Sequence, residues 1–472
     1  MATPIAPRQK MRDISLEERK STLKEVHLGF NEEEAVAEAS RCLNCKVPRC
    51  SQKGCPMHNL IPQWIMLIKE KKFMEAAELS RTTSSMPEIC SRICPHDRLC
   101  EGMCALGVKN EAVAIGALER FINDYAHSKG DIPLPAGPKT GKKVAIIGGG
   151  PAGMAVAEQM VRKGHEATIY DAMPLPGGLI ANGLPGFKID PAVVARRWKI
   201  LEKAGVKFAG GMKVPEKISI DKMLDGMADA VFVGVGAWVS AAPKIEGMQA
   251  KGVIAALDYL RATEAELPIK GKPVLVLGGG DTAMDCARVA VRRGATRAIV
   301  GYRRDEANMP GSKKEVKAAK EEGVEFNFLV SPNKFISDDK GALKSIEFQQ
   351  MELGEPDAEG RRSPKPVPGK TLNYPAEIAV LAFGFKTDNK LVAEAMGLKT
   401  DKWGNILTNP LTGATSRTGV FAGGDCTNGA DLASTAVAAG RKAAAGIDKF
   451  LSDRNWAAVA IPPEGTPPTE AK

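Results

Sequence analysis

An α/β fold is expected, built from two doubly wound parallel sheets, one unit inserted in the other, with an all-α segment ahead of both. Three observations predict it. The stretches VAIIGGGPAGMAVAEQMVRKGHEATIYD (144–171) and VLVLGGGDTAMDCARVAVRRGATRAIVGYRR (274–304) share one plan. In each, a short apolar run turns on a glycine triplet into a helix of 3.6-residue period and returns as a second apolar run. Apolar runs at 227–238 (MADAVFVGVGAW) and 374–385 (YPAEIAVLAFGF) bracket the second copy, which places its unit within the first. Lastly, eight of the ten cysteines fall between residues 42 and 104, ahead of both copies, among stretches of helical period.

In chain order, residues 1–135 are expected to form the all-α domain. Its cysteines read Cys42-x2-Cys45-x4-Cys50-x4-Cys55-Pro56 and Cys90-x3-Cys94-Pro95-x4-Cys100-x3-Cys104. MATPIAPRQK has no apolar stretch and is no secretory signal, so a cytoplasmic chain is expected, and thiolates this dense there imply metal rather than disulfides. Zinc would be satisfied by four thiolates. The Cys-Pro steps and uneven spacings point instead to iron–sulfur chemistry. Spacing leaves open which cysteine serves which centre. Between the two groups, Ile61, Trp64, Ile65 and Ile68 make the stripe of an amphipathic helix; after them, Ile115, Leu118, Ile122 and Tyr125 repeat it. GDIPLPAGPKTGKK then reads as a linker.

Residues 136–244 are expected to open the first nucleotide unit. Gly148 makes the tight turn, Gly150 removes the Cβ that would block a pyrophosphate, and Gly153 lets helix and strand pack closely, with the helix N-terminus facing the phosphates. Asp171, 23 residues past Gly148, ends the second strand, where a carboxylate accepts hydrogen bonds from a ribose diol. That suits the adenosine of FAD or NAD, and Gly178 joins the same site. Residues 245–375 carry the second cradle, with Gly278, Gly280, Asp281, Thr282 and Ala283 at the corresponding turn. Its second strand runs into Arg303 and Arg304, and guanidinium there pairs with a 2′-phosphate, so NADPH is the expected ligand. The plainer reading of the two arginines is a solvated loop pair. Residues 376–472 complete the first unit and add a tail. In VFAGGDCTNGADLASTAVAAGRKAAAGID, Gly424 and Asp425 form a turn that would meet a flavin, Asp425 as an ordinary helix cap being the alternative.

At 472 residues the chain needs several cores. A formal charge of +9, spread without an arginine–aromatic block, gives no support to nucleic-acid binding. No apolar run is long enough for a membrane helix. His27, His58, His96, His127 and His165 show neither ligand spacing nor a nucleophile partner. Cys286 and Cys426 form no Cys-x-x-Cys pair, so dithiol chemistry beside a flavin is not expected. Hydride transfer between cofactors requires no catalytic side chain.

The stretches CPMHNLIPQW, PEICSRICPHDRLCEGMCALG, GKKVAIIGGGPAG, LGGGDTAMDC, YRRDEANMPGSKKEV, EEGVEF, GEPDAEGRR, AFGF and VFAGGDCTNGADL resemble the small (beta) subunit of NADPH-dependent bacterial glutamate synthase, over nearly the whole chain. The resemblance implies two Rossmann-like domains holding one FAD and an NADPH site, and two 4Fe-4S clusters in the helical domain. It also implies a hetero-oligomer, with that domain docked on a large (alpha) subunit that carries FMN and makes L-glutamate from glutamine and 2-oxoglutarate. By the family pattern Cys42, Cys45, Cys50 and Cys104 hold one cluster, and Cys55, Cys94, Cys100 and the carboxylate of Glu119 hold the other. Cys90 stands outside both sets. Without the family, Glu119 reads as a solvated helix residue. Four residues separate Cys50 from Cys55 where relatives usually have three, which touches the loop geometry. The residue after the initiator is Ala2, not the cysteine nucleophile of an amidotransferase, so glutamate formation would belong to the partner. Rival readings are an NAD(P)H–ferredoxin oxidoreductase, an electron-transfer part like that of dihydropyrimidine dehydrogenase, and, in another class, a zinc-bearing scaffold without turnover.

Overall fold

The computed structural model describes residues 6–356, 362–387 and 390–462, so Ala2 and the end of the tail lie outside the described residues. The leading domain is helical: α1 (Leu16–Ser21), α2 (Glu32–Ala39), α3 (Ile61–Lys69), α4 (Phe73–Thr83), α5 (Pro87–Ile93) and α6 (Ile115–Ser128). Asn31 starts α2 through a reciprocal pair with Glu34, each side chain satisfying the other's backbone N–H at 2.8 Å. The predicted stripe of Ile61, Trp64, Ile65 and Ile68 is buried on α3. That helix stops at Lys69 and the chain turns at Lys71, φ +60°, before α4. Phe73 then stacks edge-on against Phe121 and Tyr125 of α6, 5.0 Å from each ring.

The first nucleotide unit follows as β1 (Lys143–Ile147), α7 (Pro151–Arg162), β2 (Glu166–Tyr170), α8 (Gly178–Gly183), α9 (Pro191–Lys203), β3 (Lys207–Ala209), α10 (Ile220–Lys222) and β4 (Ala230–Val233). The chain crosses at β5 (Val239–Ser240) into β6 (Val253–Ala255), α11 (Ala256–Arg261), β7 (Pro273–Leu277), α12 (Asp281–Arg292), β8 (Arg297–Tyr302), α13 (Lys313–Glu321) and β9 (Glu325–Phe328). Next come β10 (Val330–Ser337), β11 (Leu343–Pro356), β12 (Arg362–Pro375) and β13 (Ile378–Leu381). It returns through β14 (Phe385–Lys386) to α14 (Lys390–Ala395), β15 (Val420–Ala422), α15 (Asp425–Asn428) and α16 (Ala433–Asp453).

Two five-stranded sheets result, ordered β15-β4-β1-β2-β3 and β6-β13-β7-β8-β9, and every pair within them is parallel. Their strands read as continuous apolar runs because helices cover both faces. The outward and returning passages meet as an antiparallel pair, Phe385 opposite Ser240 and Lys386 opposite Val239, so the inserted unit hangs on a double crossover. One expected boundary needs correction. Ile378–Leu381 pairs with β6 and β7 of the inserted sheet, so the chain returns beyond Leu381 and not at 375. A strand buried on both faces reads the same whichever sheet owns it. Within the first unit α16 lies along α7, so closely that a Cβ on Gly440 would stand 2.3 Å from the Ala152 carbonyl oxygen. Among the described residues no helix is long and apolar enough to cross a membrane.

Candidate functional site

Each cradle sits where a strand ends and a helix begins. In the first, a Cβ on Gly148 would lie 2.3 Å from the Gly234 carbonyl oxygen, and one on Gly153 would lie 1.9 Å from that of Gly148. Both contacts are with backbone and cannot yield, so the turn and the strand–helix approach each demand glycine. Gly150 occupies the cap of α7 with no side-chain bond, and a Cβ there would meet only the Gly178 Cα at 3.8 Å, so the space over the helix N-terminus is clear. Asp171 is 7% exposed. Its carboxylate accepts the Gly149 N–H at 2.5 Å and the Met173 N–H at 2.7 Å, binding the strand end to the turn. Gly424, φ +83°, holds the cap of α15, and Asp425 is that helix's first residue, so the capping alternative is not what the structure shows. Burial pushes the Asp425 carboxyl up to about 6. A clear helix N-terminus opposite a strand-end carboxylate fits a dinucleotide.

The second cradle repeats the plan. A Cβ on Gly278 would stand 2.1 Å from the Ala382 carbonyl oxygen, and one on Gly280, the cap of α12, would meet nothing within 4 Å. Ala283 is fully buried under the turn. Asp281 and Thr282 are the first residues of α12, and the Asp281 carboxylate accepts the Ser312 N–H at 2.7 Å. The segment after β8 folds back across the cradle: the Tyr302 hydroxyl donates to the Asn308 carbonyl at 2.9 Å, and the Gly311 N–H to the Gly279 carbonyl at 3.0 Å. Arg303 is exposed there. Arg304 is half-buried, and its Nε is a buried donor without a partner among the described residues. A buried guanidinium N–H left unmatched is costly unless an anion completes it, which fits a phosphate better than a solvated pair.

The cysteines fall into two places. Cys42, Cys45, Cys50 and Cys104 line one cavity, walled by side chains that include Ile61, Ile65 and Leu106. Cys55, Cys94, Cys100 and Glu119 form the second set, the last three 8%, 7% and 7% exposed. Burial raises the Cys55 thiol to about 11 and holds Cys100 and Glu119 far above their ordinary ranges, with the neighbouring acids adding to it. Asn59 donates to Glu119 Oε1 at 2.9 Å. Glu119 is thus no solvated residue, and this packed set of acids is what a cationic centre neutralises. Cys90 is buried beside Cys94, and Cys90 and Ser434 hold the Cys94 thiol low.

One cysteine of the second set reaches beyond the helical domain. Cys94, with Met86, Ile89 and Cys90, shares a core with Ala152 of α7 and Ala436 and Val437 of α16, whereas Cys55 and Cys100 pack with Cys42, Cys50 and Cys104 inside the helical domain. Sequence reasoning missed the residue that joins the domains at the second cradle. Arg98, between Cys94 and Cys100, donates to the Pro310 carbonyl at 2.8 Å and to Asp281 Oδ2 at 3.2 Å. No local pattern marks such a contact across 183 residues. The histidines have ordinary roles: His27, His127 and His165 pair with Asp13, Asp131 and Asp448, and His96 is buried with its ring against Gly116. Cys286 and Cys426 are buried and unpaired.

Residues 19–131 match the dihydropyrimidine dehydrogenase domain II 4Fe-4S family, and residues 142–440 match the pyridine nucleotide-disulphide oxidoreductase family. The Glutamate synthase (NADPH) small chain of Escherichia coli is 44% identical over 92% of this chain and 95% of its own length. AegA of the same organism, named as an oxidoreductase, is 45% identical over 93% of this chain and 69% of its own length. Among solved structures, FprA of Mycobacterium tuberculosis in complex with NADPH aligns at a TM-score of 0.57 and 19% identity, over 68% of this chain and 86% of FprA, a likeness of fold. Cradles, buried thiols and these likenesses agree: the chain belongs to the glutamate synthase small-chain family of pyridine-nucleotide oxidoreductases.

Proposed function

We propose that this chain is the NADPH-oxidising subunit of a glutamate synthase, delivering single electrons to a large FMN-bearing subunit that makes L-glutamate from glutamine and 2-oxoglutarate. Gly148, Gly150, Gly153, Asp171, Gly178, Gly424 and Asp425 would hold FAD. Gly278, Gly280, Asp281, Thr282, Ala283, Arg303 and Arg304 would hold NADPH. Cys42, Cys45, Cys50 and Cys104 would hold one 4Fe-4S cluster and Cys55, Cys94, Cys100 and Glu119 the other, with Cys90 as a packed neighbour. Bound there, reduced nicotinamide supplies a hydride, flavin the change from paired to single electrons, and the clusters a relay. The protein's part is to bind and orient; no side chain has to move a proton for hydride transfer.

The observation that carries this reading is the core that Cys94 and its neighbour Cys90 share with α7 and α16, which brings one thiol of the second set against the helix of the first cradle. The first group's cysteines are only half-buried, and the exposed Leu43 lines their cavity while the exposed Val108 lines the neighbouring one beside Cys104, an apolar margin suited to a protein acceptor. The test is anaerobic titration of the flavin- and iron-loaded chain with NADPH, followed by addition of the large subunit of the same organism. Bleaching of the flavin and NADPH-dependent glutamate formation are expected. No bleaching would refute NADPH oxidation; bleaching with another acceptor served and no glutamate formed would favour an AegA-like role.

A further inference from the structure

We infer that Arg98, carried on the iron–sulfur domain, is a nucleotide-binding residue of the second cradle and pairs with the pyrophosphate of the pyridine nucleotide; the inference rests on the NADPH reading of that cradle. The clear cap at Gly280 invites a phosphate to the N-terminus of α12, yet the first residue of that helix is Asp281. A carboxylate at this position opposes the helix dipole's attraction for a phosphate. Asp285, one turn on, adds a second carboxylate to the same face, and Lys188 answers that one at 2.8 Å. Arg98 answers Asp281. Its Nη2 stands 3.2 Å from Asp281 Oδ2, and its Nη1 donates to the Pro310 carbonyl in the segment that folds over the cradle.

Two features show that this contact is more than a surface ion pair. The Arg98 side chain is 46% exposed, and no further bond of its guanidinium occurs among the described residues, so several of its five N–H donors remain for a ligand. The contact is also held at both ends: Asp281 is fixed by the Ser312 N–H, and Arg98 lies four residues beyond Cys94 and two before Cys100 on a loop tied to the second thiol set. The guanidinium is therefore placed at the mouth of the cradle by the domain that receives the electrons, where its charge offsets Asp281 and meets the phosphates common to NADPH and NADH. Arg303 and Arg304 serve the 2′-phosphate instead, so the two sets are separable by the ligand they sense.

The experiment measures binding of NADP+ and of 2′-AMP to the flavin-loaded protein by calorimetry. 2′-AMP carries the 2′-phosphate and no pyrophosphate. Arg98→Ala is expected to weaken NADP+ about tenfold to hundredfold, the loss of one charge-assisted bond, and to leave 2′-AMP unchanged. Arg98→Gln, which keeps a donor for Pro310 and loses the charge, is expected to do the same and decides the matter if the alanine variant fails to fold. NADP+ binding unchanged in the variants would overturn the role of Arg98. Equal weakening of both ligands would overturn it too, as the mark of a distorted cradle. Absence of NADP+ binding by the unaltered protein would instead remove the NADPH reading beneath it.

Discussion

At the residue scale, cofactor choice rests on the strand ends. Arg304 keeps a buried Nε without a partner among the described residues, and Arg303 beside it is exposed. Replacing either by alanine is expected to lower NADPH affinity about tenfold to hundredfold, since each charge-assisted bond is worth about 1.5 to 3 kcal/mol, while NADH affinity stays within about twofold. Initial rates with the two nucleotides check this; an unchanged preference would show that the arginines are solvated. Asp425 makes a second prediction. Its carboxyl is pushed up to about 6 by burial, from 3.8. Between these values the folded chain keeps a proton that the unfolded chain has lost, so this group's contribution is full below about 4 and declines as pH rises to about 6. Asp425→Asn is expected to flatten that part of the melting-temperature profile and to add about 1 to 3 kcal/mol at neutral pH. A profile identical to that of the unaltered protein would count against it.

At the scale of elements, α5 and α9 join the helical domain to the first nucleotide unit through a buried pair. Arg197 donates twice to Glu88, 2.7 Å each, and the two side chains are 3% and 0% exposed. Burial opposes the charge on Glu88, but the Arg197 guanidinium overcomes it and holds the carboxyl down to about 2. Its contribution is therefore complete above about 4.5 and lost as pH falls towards 2. Glu88→Gln leaves Arg197 buried with Glu158 at 3.7 Å and the more distant Asp131, and is expected to destabilise the chain by about 3 kcal/mol in urea unfolding, with flavin and iron retained below the transition. A loss under about 1 kcal/mol would show the pair to be dispensable. Such pairs explain what was legible beforehand. The cradles could be read because glycine spacing, the strand-end Asp171 and the arginines after β8 are local marks of local geometry. The α5–α9 pair, the Arg98 contact and the sheet to which Ile378–Leu381 belongs could not, because each depends on partners distant in sequence. The antiparallel sheet of β10, β11 and β12 was not foreseen, since β12 is mostly exposed and lacks a core stripe. Glu119 was legible only through family resemblance, because a buried acid and a solvated one have the same letter.

At the scale of the whole molecule, the leading segment ties the two nucleotide units together. Val26 donates its N–H to the Phe187 carbonyl of the first unit at 3.0 Å, while the Thr22 carbonyl accepts Arg292 Nε and Arg19 pairs with Glu321 of the inserted unit, both at 3.1 Å. Phe187 itself lies in the inserted unit's core, under the guanidinium groups of Arg288 and Arg292 at 4.5 and 4.0 Å. Those arginines are in turn held by Glu322, which is 2% exposed, so the ring closes a charged network as well as an apolar one. The double crossover at β5 and β14 is a short two-stranded link, and alone it would leave the inserted unit free to turn. Orientation therefore rests on the leading segment and Phe187 together with the Arg98–Asp281 and Lys188–Asp285 pairs, and losing the ring should loosen the units before it unfolds either of them. Phe187→Ala is expected to cost about 3 to 5 kcal/mol at that junction and to split a single calorimetric transition into two. NADP+ affinity should be nearly unchanged, because the second cradle is intact, while flavin reduction by NADPH slows at least tenfold as the cradles lose their fixed separation. One cooperative transition with undiminished reduction would show that the crossover and the ion pairs set the geometry between the two nucleotides without the ring.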